Sequence, residues 1–103
     1  MTKVIIEVKS LQNNDLIGKV VLSKTGRDKD HLYVVIGHLG DRYAILSNGS
    51  TKTVQMPKQK NLKHISVLED VDDEIKESII LKDRGTDLKI KRFLKLKGIV
   101  KEG

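Results

Sequence analysis

The chain has 103 residues, with 20 Lys and Arg against 14 Asp and Glu, a net charge of +6 and a pI near 9.6. That is room for one domain, or one small domain with an appendage, and 38% apolar residues permit only a modest core. The lack of cysteine excludes a disulfide framework, a Cys-ligated zinc and a thiol nucleophile, and no apolar run approaches the ~20 residues of a membrane span or the ~7–15 of a signal-peptide core, so a cytoplasmic protein is expected.

Residues 2–8 read as an extra strand for a sheet edge. Residues 19–23 form a short β-branched strand, broken by the turn residues 25–30. Residues 31–36, rich in Tyr, Val and Ile, give a second strand, punctuated by Gly37 and then Gly40-Asp41; residues 42–46 give a third. Asn48-Gly49 between apolar runs predicts a type I′ hairpin turn, because both central positions favour positive φ. A fourth strand is expected over 51–56, stopped by Pro57, and a fifth over 64–68. Five short strands near a dozen residues apart predict a small closed or half-closed barrel, since closure removes sheet edges.

The last third changes period. Asp70 or Asp72 can cap a helix whose Val71, Ile75 and Ile79 share a face and which Gly85 ends. Thr86-Asp87 then starts a second helix through Phe93, Leu94 and Lys97, although residues 88–91 and 94–97 also alternate like strand. The expected class is mainly β: an extension over 1–16, a barrel over 17–68, and a short helical extension over 69–103.

Catalytic signals are thin. His31, His38 and His64 show no helical i, i+4 pair, and Asp28 and Asp30 beside His31 read as a solvated turn rather than metal ligands. There is no nucleophile elbow, dinucleotide fingerprint or phosphate-loop lysine, so neither an enzyme nor a cofactor is expected. Gly37 to Gly40 is read as hairpin. The basic residues carry more information. Lys24, Arg27 and Lys29 surround the first turn, Arg42 follows the second, Lys52 sits past Asn48-Gly49, and Lys58, Lys60 and Lys63 follow Pro57. Gathered on one wall, they would neutralise phosphates; spread out, they would be ordinary surface charge. Only Tyr33, Tyr43 and Phe93 are aromatic, too few for a base-stacking platform, so RNA contacts would be to backbone and shape.

Residues 18–29 resemble the KOW motif: Gly18 opens the strand, Val20 and Leu22 alternate, Gly26 is the turn glycine and Lys29 follows three residues later. The continuation through 33–37, 43–49, 52–58 and 61–65 is similar to the bacterial KOW-domain RNA-binding proteins, themselves similar to the archaeal and eukaryotic large-subunit ribosomal protein fourteen-e. The resemblance covers about residues 15–68. It implies an SH3-like β-barrel that binds RNA, as a ribosomal or translation-associated protein, without catalysis, membrane or small-molecule substrate. It places Lys24, Gly26, Arg27 and Lys29 on RNA through the first turn, and Lys52, Lys58, Lys60 and Lys63 through the basic run around Pro57.

Asp30 departs from the motif, standing where glycine is usual; it adds a negative charge and disfavours positive φ. On their own chemistry, Gly26 lets a phosphate approach the backbone, and Arg27 offers a bidentate contact or else pairs with Asp28 or Asp30. His64 donates to RNA or packs before the last strand. The basic tail (Lys89, Lys91, Arg92, Lys95, Lys97) would add reach, and the acids of 69–77 would cap a helix or fold against the basic wall. The alternatives are an SH3-like protein-interaction module and a KOW adapter in transcription elongation.

Overall fold

The computed structural model describes residues 16–102, with side chains described through residue 97. The expected strand at 2–8 lies outside the described residues. Five strands, β1 (Lys19–Ser23), β2 (Leu32–Leu39), β3 (Tyr43–Ser47), β4 (Lys58–Asn61) and β5 (Ile65–Asp70), are followed by two helices, α1 (Asp73–Leu81) and α2 (Thr86–Glu102). All pairings are antiparallel and the sheet order is β4-β3-β2-β1-β5.

This corrects the expected SH3-like barrel. β4 and β5 are the two edges of an open sheet and, among the described residues, do not pair with each other. The class is mixed α/β rather than mainly β. Closure fails where the fourth strand was expected. Four N–H groups of 50–56 find other partners: Asn48 Oδ1 accepts those of Ser50 and Lys52, both at 2.9 Å, Thr53 accepts that of Met56, and Asp87 Oδ1 accepts that of Val54 at 2.9 Å. Local side-chain acceptors thus compete successfully with a strand ladder. Asn48-Gly49 opens this ten-residue loop, residues 48–57, instead of making a two-residue hairpin turn. The strand that does form, Lys-Gln-Lys-Asn, starts after Pro57 and is four residues long, a polar edge of the kind that discourages further pairing.

The sheet is nevertheless curled. In a flat sheet β4 would stand about 14 Å from β1, yet the Lys60 ammonium reaches the Thr25 carbonyl just after β1, at 2.8 Å. Two irregularities assist the bend. Register shifts between Val35 and Gly37, and between Val20 and Val21, leave Ile36 and Leu68 as extra residues.

The central strands β1 and β2 are buried on both faces, which is why Val20-Val21 and Tyr33-Val34-Val35 are continuously apolar instead of alternating. Val21, Tyr33, Val35, Ala44, Leu46 and Ile65 pack on the inner face of the curl. Val20 and Val34 face the helices and pack with Val71, Ile75, Ile79, Ile90 and Leu94. The helices therefore complete a core rather than trail from it. Asp72 occupies the N-cap position of α1 without a side-chain cap bond, and Asp73 and Glu74 favour the positive end of the helix. α1 stops earlier than expected, at a left-handed Lys82, and Gly85 precedes α2. No helix among the described residues is long and apolar enough to cross a membrane.

Candidate functional site

The first turn, residues 24–30, is held by a carboxylate that the sequence presents as a surface charge. Asp28 is only 8% exposed. Ser23 Oγ donates to its Oδ1 at 2.9 Å, the Tyr33 hydroxyl to its Oδ2 at 3.0 Å, and Lys60 Nζ to Oδ1 at 2.7 Å; Lys58 Nζ stands 3.6 Å from Oδ2. Lys58 and Lys60 are two residues apart on β4, so both point from the same face of the strand. Burial alone would raise the Asp28 pKa. The hydrogen bonds from Lys60, Ser23 and Tyr33 and the charge of Lys58 outweigh it and hold the carboxyl well below the usual carboxylate range. Arg27 is not its partner: the ion pairs of Asp28 go to Lys58 and Lys60.

Burial and the hydrogen bond to Asp28 push the Tyr33 phenol up to about 12 from 10.0. A raised folded-state pKa means the stabilisation is complete below pH 10 and lost as pH rises toward 12. Tyr33→Phe abolishes that component. The stability difference between wild type and variant, followed by urea unfolding at stepped pH, is expected to shrink across this window.

Backbone contacts assemble the rest. The Lys24 N–H donates to the His64 carbonyl at 2.8 Å, joining the first turn to the corner between β4 and β5. The Asp30 N–H closes the turn on the Ser23 carbonyl at 2.7 Å, and Asp30 adopts φ +72°. The expected penalty against positive φ at Asp30 therefore does not change the turn; aspartate is among the residues that tolerate this conformation. The Leu62 N–H donates to the Arg42 carbonyl at 2.7 Å, which brings Arg42 to the same corner.

Of the predicted site residues, Lys24, Gly26, Arg27, Lys29, Arg42 and Lys63 are exposed here, and His64 is half-buried. Lys58 and Lys60 join the group from beneath, their charges turned toward Asp28. Lys52 sits elsewhere. Its carbonyl accepts the N–H groups of Asn48 and Gly49 and the Ser47 hydroxyl, in the loop packed on α2. The tail does not reach outward as a free arm. α2 is docked through Ile90 and Leu94, Lys89 pairs with Glu74 and Asp83, and Lys97 pairs with Glu69 and lies 5.2 Å from the Phe93 ring centroid. The acidic stretch meets Lys19, Lys89 and Lys97 rather than the first-turn cations.

Ser23, Asp28 and Tyr33 are the residues that sequence reasoning missed. Their one signal was spacing: each lies five positions from the next, straddling a turn, with two lysines in alternation on a later strand. Among the described residues no three His, Asp or Glu side chains gather to hold a metal. No family model matches the chain, and no curated protein matches it.

Proposed function

We propose that this domain is a non-catalytic module that docks on the sugar–phosphate backbone of structured RNA, with ribosomal RNA the first target to test. The observation that carries the reading is the junction of the first turn with the β4–β5 corner. Lys24, Arg27, Lys29, Arg42 and Lys63 are exposed around it, and Asp28 and Lys60 hold the turn from inside. Cations on a pre-ordered surface release counterions from a phosphate chain without first having to be ordered themselves. The inward-facing Tyr33 and the small aromatic content favour backbone contact over base stacking. The ordered matches of Gly18, Val20, Leu22, Gly26 and Lys29 to the KOW motif support the same site.

Arg27→Glu with Lys29→Glu tests this in filter binding or anisotropy titrations over a salt series. Affinity for duplex RNA is expected to fall roughly tenfold or more at ~0.1 M salt, and the slope of log K against log salt to flatten by about two units. Unchanged affinity and slope would remove the turn from the interface.

A further inference from the structure

We propose that a cleft on the helical side binds a small anionic amphiphile, its carboxylate or sulfonate on Lys82 and Arg84 and its apolar body on Ile36, Val54 and Ile79. This site is separate from the first turn and independent of the RNA reading. The cleft has a volume of about 580 Å³ and lies where β2, the loop after β3, the end of α1 and the start of α2 meet. That volume is within the ~300–1,000 Å³ of small-ligand sites.

The walls are tied in place. The Val54 N–H donates to Asp87 Oδ1 at 2.9 Å, and the Thr86 hydroxyl to the carbonyls of Ser78 and Asp83 at 3.1 and 2.7 Å. These bonds also engage the rim's acids. Asp87 is taken by Val54, and Asp83 accepts from the Gly85 N–H and pairs with Lys89. Lys82 and Arg84 are exposed, and no carboxylate among the described residues pairs with either. The lining carries Lys82 and Arg84 against Asp83 and Asp87; with both carboxylates hydrogen-bonded elsewhere and both cations without an ion-pair partner among the described residues, an anion with a hydrocarbon or ring attached fits the apolar floor and the two cations.

The backbone at Lys82 supplies a decisive variant. Lys82 is left-handed, at φ 57° and ψ 42°, where its N–H closes α1 on the Ile79 carbonyl at 3.2 Å and the Asp83 N–H closes on Ser78 at 3.0 Å. This is the helix-ending position at which glycine is normal and a side chain is strained. Glycine would keep both hydrogen bonds and relieve the strain. What it would remove is the ammonium group, which stands at the cleft rim and at the negative C-terminal end of α1.

The test uses the whole chain with anilinonaphthalene sulfonate as the anionic probe and phenylnaphthylamine as its uncharged counterpart. Saturable one-site fluorescence is expected for the sulfonate, with NMR shifts centred on the methyl groups of Ile36, Val54 and Ile79. The uncharged probe should bind roughly tenfold more weakly. Lys82→Gly should melt at a higher temperature than wild type and yet bind the sulfonate at least about tenfold more weakly, and Arg84→Ala should bind more weakly too. Arg92→Ala, outside the cleft, should change neither property. The proposal is overturned by no saturable binding, by shifts centred on other exposed apolar residues such as Leu39, Val67 and Leu68, or by a Lys82→Gly protein that binds as well as wild type. Because the decisive variant is the more stable one, lost binding cannot be attributed to unfolding.

Discussion

Asp28→Ala is expected to destabilise the domain by about 3 kcal/mol at neutral pH, read from urea or thermal unfolding. The cost comes from what is left behind. The Lys60 side chain, 10% exposed, would keep its charge against the Thr25 carbonyl with no counter-ion, and the hydroxyls of Ser23 and Tyr33 would lose their acceptor. Removing one member of a buried ion pair costs far more than replacing the pair, so Asp28→Ala with Lys60→Met should recover a large part of the loss. The pH dependence follows from the depressed carboxyl. Its stabilisation is fully present above the unfolded-state value of 3.8 and is lost as pH falls through the lower folded-state value. Wild type should therefore lose its advantage over Asp28→Ala progressively below about pH 4. Equal stability of the two proteins at pH 7 would show that the network contributes nothing.

Gly49→Ala carries the second large effect. Gly49 has φ +74°, and a methyl group there would run into the Asp87 carbonyl and the backbone around Lys91 on α2. Backbone cannot move aside like the end of a side chain, so either the loop lifts off the helix or the helix shifts. Gly40→Ala is the internal comparison: Gly40 has φ +62°, with nothing within 4 Å of the added carbon. Gly40→Ala should cost only the left-handed strain, about 1–2 kcal/mol. Gly49→Ala should add about 1–3 kcal/mol of overpacking to that. Equal midpoints in a denaturant titration would contradict the docking of the loop on α2.

Much of the local structure was legible in the sequence, for identifiable reasons. β1, β2, β3 and β5 fall near their β-branched runs, and Ile75 and Ile79 lie on the buried side of α1, as their four-residue spacing requires, while Val71 is buried in the same core from just before the helix. The fourth strand was misplaced because residues 51–56 have strand-like composition, while the acceptors that claim their N–H groups include Asp87, more than thirty residues later. Closure was overestimated for the same reason, since residues expected to form the fourth strand are held against α2. Within the candidate site, the exposed cations could be read from composition and turn position. Asp28 could not. An aspartate in a turn is usually solvated, and only the curl of the sheet brings β4 lysines to it from across the two intervening strands.

The most direct test is the RNA affinity of Asp28→Asn, measured over a salt series below its melting temperature. Asparagine keeps one acceptor oxygen, which can serve Ser23 and Lys60, turns an amide donor toward the Tyr33 hydroxyl, and removes one negative charge, taking the net charge one unit above +6. If the turn binds because its cations are held in place, this more basic protein binds duplex RNA more weakly, by roughly threefold to tenfold. Tighter binding with a steeper salt slope would contradict that and leave only undirected positive charge.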